Sequence, residues 1–482
     1  MTDKSKPIPF SPPDITEAEI EAASEALRSG WITTGPRTKE LERKLCAFTG
    51  ADGFACLNSA TAALECALRL LGIGPGDEVI TSAYTYTASA SPIHHVGAKI
   101  VLVDTAPGSF EMDYMALSDA ITDRTKAIIP VDLGGRMCDY NQLRSMLQLN
   151  RGKWHPSTDV QRLFDRIPIV ADGAHALGAT WHGMKCGSVA DFTAFSFHAV
   201  KNFTTAEGGG LAWHLPQPGM PASPMAWNIP QPTSNITSEE LYRRVMLLSL
   251  HGQSKDALAK ARAGAWEYDI EFLGWKYNMT DIMAAIGLVQ LERYPSLLAR
   301  RRELIERYER GLSDLPVSTL EHFGRWGESS GHLMLVKLDG RGARFRNRVI
   351  ELMAEAGVAT NVHYKPLPMM TAYRNLGFDI KDFPNAHNQF RNEVTLPLHT
   401  LLSDEDVDRV VAELARAIRT ADAEGVGADD AKSAAEERLA AYIKRMDETG
   451  GWSGDAAPRA FAVGDEEQPV SPEEIAREME GR

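Results

Sequence analysis

Cysteine is scarce in this chain, and the few cysteines form no recognisable pattern. There are five among 482 residues, an odd number, and no two are spaced as Cys-x-x-Cys. That argues against a disulfide framework and against a zinc knuckle, and it suits a reducing compartment. The first residues, Met-Thr-Asp-Lys-Ser-Lys-Pro, lack the apolar core of a signal peptide. We therefore expect a cytoplasmic protein.

Long apolar runs and clusters of basic residues are also missing. No apolar run approaches the length of a membrane span, so no membrane insertion is predicted. The net charge is −14, and residues 421–482 account for −9 of it, with 16 acidic and 7 basic side chains. Because no cluster of basic residues is present, the sequence predicts no nucleic-acid partner. His94 and His95 have no further ligands at matching spacing, so no metal site is predicted.

Between residues 14 and 420 the chain has the pattern of an α/β protein. Helical segments alternate with short apolar runs, which predicts a mostly parallel sheet covered by helices on both faces. The predicted strands are Glu78–Thr81, Lys99–Val103, Ala127–Val131 and Ile167–Ala171. From about residue 330 a new strand and helix pattern begins. We predict an N-terminal arm (1–13), a large domain (14–295), a smaller domain (296–420) and an acidic, flexible extension (421–482).

Some local features predict particular elements. Thr16 and Glu19 form a capping-box pattern, which predicts that a helix begins there. A long helical region spans about 280–312, and Pro295 within it predicts a kink or a division. Residues 216–235 are rich in loop formers, and one amphipathic helix is predicted over 431–446.

A strand followed at once by a lysine is the most unusual stretch of the chain. Residues 191–200 alternate aromatic and small side chains, which predicts a short strand, and Lys201 follows it. Burial of an ammonium is costly, so a lysine held there loses its proton more easily, as Schiff-base chemistry requires. A surface lysine just past a strand end fits the same pattern. Gly208, Gly209 and Gly210 would allow a sharp turn or a close approach to a ligand.

Three other segments follow strands or open a helix, where ligands gather in parallel sheets. Asp172 follows an apolar run directly; a carboxylate there either pairs with a cationic ring nitrogen, as pyridoxal phosphate requires, or caps the next helix. Residues 58–61 open a helix with free N–H groups and two hydroxyls, which suits a phosphate or an ordinary cap. Tyr86 follows another strand, where an aromatic ring stacks on a planar cofactor or simply packs.

Taken in order, these segments resemble the DegT/DnrJ/StrS family of sugar aminotransferases, which are fold-type I pyridoxal-phosphate enzymes. The resemblance covers about residues 10–418, so the acidic extension goes beyond the usual end of the family. It implies a three-layer α/β/α large domain with a mostly parallel sheet and a smaller C-terminal α/β domain. The motifs that carry it are Trp31-Ile-Thr-Thr-Gly-Pro36, Asn58-Ser-Ala-Thr-Ala-Ala-Leu64, Val170-Ala-Asp-Gly-Ala-His-Ala-Leu-Gly178, Phe195-Ser-Phe-His-Ala-Val-Lys-Asn202, Glu207-Gly-Gly209, His251-Gly252, Tyr277-Asn-Met-Thr-Asp281 and Leu396-Pro-Leu398.

The resemblance assigns a role to each candidate residue by position. Lys201 would link covalently to pyridoxal phosphate and serve as the general acid and base. The remaining cofactor roles are Asp172 at the pyridinium nitrogen, Ala60, Thr61 and Ser196 at the phosphate, Tyr86 stacked on the ring, His175 near the ring hydroxyl, and Asn278 reaching the phosphate from the partner subunit of a homodimer. The alternatives are a core histidine for His175 and a helix cap for Asn278. The substrate candidates are Trp31, Thr34, His363 and Tyr364, and a packing role is the alternative for His363 and Tyr364.

The implied reaction moves an amino group from L-glutamate to a nucleotide-linked keto sugar. The motifs Phe-His-x-Val-Lys and Thr-Thr-Ala-Glu-Gly-Gly are similar to branches that act on UDP-linked 4-keto-6-deoxy sugars. Those branches make 4-amino sugars for bacterial surface glycans such as O-antigen. One alternative is a sugar dehydratase of the same family, whose known members carry His at the position of Lys201. A regulatory protein on this fold would have lost Lys201 or Asp172, and a desulfurase would need a reactive cysteine in a mobile loop.

Overall fold

A computed structural model of the chain describes residues 6–216, 236–254 and 267–427. The first five residues of the predicted arm lie outside the described residues. So do the predicted helix over 431–446, nearly all of the loop-rich segment 216–235, and all but the first seven residues of the acidic extension. Within the described part of the chain, no helix is both long enough and apolar enough to cross a membrane.

Several of the described helices begin at a residue whose side chain caps them. Thr16 and Glu19 form the predicted capping box at the start of the first helix. In the part of the chain that the structure describes, the helices are α1 (Glu17–Arg28), α2 (Pro36–Thr49), α3 (Ala60–Leu70), α4 (Ser91–His95), α5 (Tyr114–Ala120), α6 (Tyr140–Leu149), α7 (Ser238–Ser249), α8 (Asp281–Leu312), α9 (Ala343–Glu355), α10 (Thr371–Asn375), α11 (Pro384–Asn392) and α12 (Asp404–Ala423). Pro295 lies inside α8 without dividing it, and its neighbours Tyr294 and Leu297 are buried in the core.

The central sheet is mostly parallel, as predicted, with one antiparallel strand. The strands of the described residues are β1 (Gly53–Leu57), β2 (Glu78–Ser82), β3 (Lys99–Val103), β4 (Thr125–Ile129), β5 (Val170–Asp172), β6 (Thr180–Trp181), β7 (Met184–Lys185), β8 (Phe192–Ser196), β9 (Gly209–Trp213), β10 (Val317–Thr319), β11 (Phe323–Gly324), β12 (Gly327–Glu328), β13 (Met334–Leu338) and β14 (Glu393–Leu396). In the central sheet the order is β3-β2-β4-β5-β8-β9-β1, with parallel bridges between Ile128 and Ile169 and between Val131 and Asp172 joining its two halves. Only β9 runs antiparallel to its neighbours in this sheet. The predicted fold class is confirmed.

A second, antiparallel sheet lies towards the C-terminal end of the chain. Its order is β10-β13-β14. A hydrophobic core formed by this sheet, α9, α12 and the second half of α8 also includes Ile8 from the N-terminal segment. Since α8 runs without interruption across the predicted boundary at residue 295, one helix belongs to both halves of the molecule. The division into a large and a smaller domain at that residue stays a prediction.

Asp281 joins the starts of two helices. It is the first residue of α8 and fully buried, and its Oδ1 accepts from the Gly35 N–H (2.8 Å), the Thr38 N–H (2.9 Å) and the Thr38 hydroxyl (2.7 Å). Its Oδ2 accepts from the Arg37 N–H at 3.1 Å. One buried carboxylate therefore satisfies the N-terminus of α2, where N–H groups have no partner within the helix.

We expect Asp281→Asn to lower the free energy of unfolding by about 2–3 kcal/mol, because an amide cannot accept all four hydrogen bonds. Urea unfolding of the cofactor-free protein measures the change. The matched control is Asp119→Asn on the exposed side of α5, which should stay within about 0.5 kcal/mol. Equal losses in the two variants would contradict the capping role.

Candidate active site

The carboxyl ends of two neighbouring strands bring the central candidates together. Asp172 is the last residue of β5, rather than the residue after it, and Ser196 is the last residue of the adjacent β8. Ser196 pairs with Gly209 of β9. A Cβ atom at Gly209 would lie 2.3–2.4 Å from the backbone of Ser59 and Ala60, so only glycine lets the start of α3 come this close. Strand ends and a helix N-terminus thus meet at one edge of the sheet.

A cavity of about 360 Å³ opens at this edge. Most of the candidates line it. They are Ala60, Thr61, Tyr86, Asp172, His175, Ser196, Lys201, His363 and Tyr364. Trp31, Thr34 and Asn278 are not part of its lining as described in this single chain.

Lys201 contributes an amine that is poised to lose its proton. Burial lowers the pKa of Lys201 to about 8, and the nearby Asp172 carboxylate opposes part of this shift. Among the described residues, no hydrogen bond or ion pair engages the Lys201 ammonium. Around neutral pH a useful fraction of this lysine is therefore a free, neutral amine, which is the nucleophilic form.

Asp172 contributes a carboxylate that is buried with little compensation. It is 7% exposed, and it accepts from the Ser89 hydroxyl at 2.6 Å and from the Ala174 N–H at 3.1 Å. Burial raises the pKa of Asp172, and the hydrogen bond from Ser89 is the largest opposing effect. The residues after Ala174 form turns and no helix, so the alternative role as a helix cap is wrong. A cationic group beside this carboxylate would offset the cost of its burial.

His175 has a defined tautomer. The Gly134 N–H donates to Nδ1 at 3.1 Å, so the ring proton is on Nε2, which lies 3.2 Å from the Tyr364 hydroxyl. Burial and the positive charge of Lys201 hold the pKa of His175 well below its usual value. The ring is thus a neutral donor in the cavity wall.

Several residues of the cavity wall could not be predicted from the sequence. The His332 ring packs against the His175 ring in a tilted arrangement, with ring centroids 4.3 Å apart, and its Nδ1 lies 2.8 Å from Asn202 Oδ1. From the N-terminal arm, the Phe10 ring stacks on His363 at 5.7 Å, and Ser11 lines the cavity beside it. An isolated histidine and a Pro-rich arm have no periodicity that would mark them as part of a site.

Trp31, Thr34 and Asn278 form their own cluster. The Thr34 hydroxyl donates to Met279 O at 2.6 Å and accepts from Asn278 Nδ2 at 2.7 Å, while Trp31 Nε1 donates to Thr34 O at 3.2 Å. Thr280 caps α8, so the alternative role of Asn278 as its cap is wrong. A role for this cluster in binding cofactor or substrate stays a prediction.

The residues of the cavity fit a planar, phosphorylated pyridine aldehyde. The N–H groups of Ala60 and Thr61 belong to the first turn of α3 and have no acceptor within the helix, which suits a phosphate. Asp172 provides a buried negative charge for a protonated ring nitrogen, and Lys201 provides the amine that an aldehyde requires. The rings of Tyr86 and Tyr364, 6.0 Å apart, provide aromatic surface.

Comparison with known proteins gives consistent matches over most of the chain. The family model described as the DegT/DnrJ/EryC1/StrS aminotransferase family matches residues 13–214 and 235–415. The spore coat polysaccharide biosynthesis protein SpsC of Bacillus subtilis is 35% identical over 419 residues, which are 86% of this chain and 98% of that protein.

Solved structures match as well. A Streptococcus pneumoniae protein assigned as a sugar aminotransferase, in its PMP form, is 53% identical with a TM-score of 0.80, over 86% of this chain and 100% of that one. Its PLP form is 52% identical with a TM-score of 0.79, over the same shares of the two chains. Helicobacter pylori PseC, an aminotransferase involved in the biosynthesis of pseudoaminic acid, is 25% identical with a TM-score of 0.71, again over 86% and 100%.

Proposed function

The chain belongs to the DegT/DnrJ/EryC1/StrS aminotransferase family and is a pyridoxal-phosphate-dependent sugar aminotransferase of fold type I, and from this premise we propose its substrates. The predicted family, enzyme class and cofactor are confirmed. We propose that the amino donor is L-glutamate and that the acceptor is a UDP-linked 4-keto-6-deoxy sugar. The product would be a 4-amino sugar for a surface glycan such as O-antigen. The amine of Lys201 beside the buried carboxylate of Asp172 supports amino transfer itself. The similarity of residues 197–201 and 204–209 to branches that act on UDP-linked 4-keto-6-deoxy sugars supports the choice of acceptor.

Each residue of the cavity has a proposed task. Pyridoxal phosphate, when bound, supplies the aldehyde that carries the amino group and the ring that withdraws electrons from the reacting carbon. Lys201 binds it covalently and then, as a free amine, moves the proton at the substrate carbon. Asp172 keeps the ring nitrogen protonated. The N–H groups of Ala60 and Thr61 hold the phosphate together with the Ser196 hydroxyl, and Tyr86 packs against the ring.

The substrates themselves are bound, in this proposal, by His363 and Tyr364. Among the described residues that line the cavity, Lys201 is the only lysine and there is no arginine. The carboxylates of L-glutamate and the diphosphate of a nucleotide sugar therefore need further cationic or N–H groups. A second copy of the chain is the source we propose for them, with Asn278, Trp31 and Thr34 at the shared site. The cytoplasmic location and the absence of nucleic-acid, membrane and metal partners stay predictions.

An exposed apolar strip supports a homodimer. Leu273 is 90% exposed, and Tyr268, Ile270 and Phe272 beside it are between 39% and 50% exposed. Such a cluster on a single chain favours burial against another protein surface. The strip ends five residues before Asn278, so a partner that covers it would also come close to that residue.

We expect Leu273→Asp to weaken the dimer at least about tenfold, because a carboxylate would be buried in an apolar contact. Sedimentation velocity over a range of protein concentrations measures the dissociation. The control is Leu149→Asp at the end of α6, where leucine is 76% exposed. A dimer that resists the first change as well as the second would place the contact elsewhere.

The proposed substrates are tested by mass spectrometry of the product. Purified protein with pyridoxal phosphate is mixed with a UDP-linked 4-keto-6-deoxy sugar and with L-glutamate carrying a ¹⁵N amine. Transfer of the labelled nitrogen to the sugar supports the proposal. Parallel reactions with unlabelled L-glutamine as donor and with a dTDP-linked acceptor decide the specificity; a clear preference for either of them would overturn the corresponding substrate.

A further inference from the structure

A buried carboxyl group lies behind the cavity wall and is connected to it by two side chains. Glu393 at the start of β14 is fully buried and does not line the cavity. The Thr395 hydroxyl oxygen lies 2.5 Å from Glu393 Oε1 and 2.9 Å from Nδ1 of His363, which does line the cavity. The backbone N–H of His363 donates to the other carboxyl oxygen, Oε2, at 2.8 Å. Glu393 and His363 are therefore connected twice, once through the Thr395 hydroxyl and once through the backbone N–H of His363.

The Thr395 hydroxyl has one proton and two partners, so its direction depends on Glu393. When Glu393 is ionised, Thr395 donates to Oε1 and accepts from Nδ1–H, which leaves Nε2 of His363 as an acceptor. When Glu393 is protonated, Oε1–H must be the donor, because Oε2 already accepts from a backbone N–H. Thr395 then donates to Nδ1, and the ring proton is on Nε2. The two states differ by one proton, which enters or leaves at Nε2.

We propose that Glu393, Thr395 and His363 form a proton relay that sets whether His363 presents a hydrogen-bond donor or an acceptor to the substrate. Among the described residues, His363 Nε2 has no hydrogen-bond partner of its own. His363 is the residue that contacts substrate, and Glu393 and Thr395 are positioning residues. The inference deepens the proposed function and rests on it only for the nature of the ligand, which is an oxygen atom of the sugar.

The chemistry of amino transfer gives such a relay a purpose. The oxygen of a keto sugar enters as a carbonyl, which accepts a hydrogen bond, and leaves as water, which needs added protons. In the protonated state Nε2–H donates to that oxygen. When Nε2 gives up its proton, Nδ1 takes the proton of Thr395 and Thr395 takes that of Glu393, so the negative charge stays on the buried carboxylate. The reverse sequence returns a proton from a hydroxyl to Glu393.

Several charged and titratable groups surround the relay. Arg346 Nη1 donates to the backbone carbonyl of Glu393 at 3.2 Å. The Tyr84 hydroxyl donates to the backbone carbonyl of His363 at 2.8 Å. Tyr364 and Lys201 face it from the cavity. Burial raises the pKa of Glu393 to about 8, although its hydrogen bonds and Arg346 oppose this. Burial and the charge of Lys201 lower the pKa of His363 to about 4.

These values determine the direction of the pH effect. Between about pH 4 and pH 8 the imidazole is neutral and Glu393 is protonated, so the ring proton is on Nε2. Above about pH 8 Glu393 ionises and the ring proton moves to Nδ1. His363 thus changes its tautomer without changing its charge, which an isolated histidine has no reason to do in this range.

Nitrogen NMR of the full-length protein tests the relay without any turnover. The protein is labelled with ¹⁵N in its histidine rings, freed of cofactor and titrated from pH 6 to 10, and the signals of His363 are identified by their loss in His363→Gln. We expect Nδ1 and Nε2 to exchange protonated and unprotonated shifts near pH 8. A single tautomer over the whole range would overturn the proposal.

Three variants give the titration its controls. In Glu393→Gln the amide oxygen accepts from the His363 N–H and the amide nitrogen donates to Thr395, so Nε2–H should persist at every pH. Thr395→Val interrupts the chain and should also abolish the exchange, whereas Thr395→Ser keeps the hydroxyl and should retain it. Exchange in Thr395→Val that matches the wild type would overturn the relay. If Glu393→Gln does not fold, the comparison of Thr395→Val with Thr395→Ser still shows whether the tautomer exchange depends on the Thr395 hydroxyl.

A kinetic readout separates the relay from the proposed function. With the wild-type enzyme kcat/KM for the sugar should fall about tenfold per pH unit above pH 8, as the donor form is lost, and with Glu393→Gln this loss should be absent. An unchanged pH profile in the variant would overturn the relay while leaving amino transfer intact. Failure of amino transfer in the wild-type enzyme, with the tautomer exchange present, would overturn the substrates and leave the relay standing.

Discussion

Lys201→Ala is expected to abolish amino transfer, with a loss of at least about 10³–10⁴-fold, because the variant lacks the only amine in the described cavity wall. Two tasks disappear together, namely the covalent attachment of pyridoxal phosphate and the movement of the proton at the substrate carbon. The measurement combines turnover with the visible absorption spectrum before and after addition of L-glutamate. In the wild-type protein the visible absorption of the bound pyridoxal phosphate should fade when L-glutamate is added. In the variant this change should be absent.

Two further variants separate the chemistry of Lys201 from its charge and from the fold. Lys201→Arg keeps a cation but provides no nucleophilic amine, so it should be as inactive as Lys201→Ala. Lys185→Ala, on the exposed β7, should retain full activity. The Lys201→Ala protein should keep the fold of the wild type, because the variant no longer pays for burial of the ammonium, although it also loses the attraction between that ammonium and Asp172. Substantial transamination by Lys201→Ala would refute the proposed role.

The sequence predicted the parts of the site that follow from local patterns. The alternation before Lys201, the apolar run before Asp172 and the polar start of α3 each identify an element and its end. Because the carboxyl ends of parallel strands meet at one edge, these segments could be expected to converge. Resemblance to a family then added His175, His363 and Tyr364, for which local patterns give no reason.

The parts that could not be predicted depend on contacts between distant segments. Glu393 and Thr395 read as two positions of an ordinary strand, and only the pairing of Asn361 with Thr395 brings His363 next to them. Phe10 reaches the cavity because Ile8 pairs with Val358 in the second half of the molecule. Strand pairing over such separations leaves no trace in the periodicity of either segment. The cluster of Trp31, Thr34 and Asn278 lies outside the lining of this cavity, so its proposed role depends on a second copy of the chain.

The second large effect is expected for Asp172→Asn, which should reduce turnover by about 10²–10⁴-fold. Asparagine has nearly the same shape, and its oxygen can still accept from the Ala174 N–H, so the fold should persist. A neutral amide, however, does not hold a proton on the ring nitrogen of the cofactor. Affinity for pyridoxal phosphate should fall about 10–100-fold with the loss of a hydrogen bond between charged groups. Equilibrium dialysis and steady-state kinetics measure the two changes independently.

Ser89→Ala provides the matched control, because it leaves the carboxylate in place and removes only its shortest hydrogen bond, the one of 2.6 Å from the Ser89 hydroxyl. That bond opposes the effect of burial, so its loss should raise the pKa of Asp172 further. Since the carboxylate must be ionised to hold the ring proton, activity should be lost at low pH first, and the acid limb of the kcat profile should move to higher pH. At the pH optimum the variant should lose no more than about tenfold. Full activity in Asp172→Asn would show that another group holds the protonated ring nitrogen. A pH profile of Ser89→Ala that coincides with that of the wild type would show that burial alone sets the protonation state of Asp172.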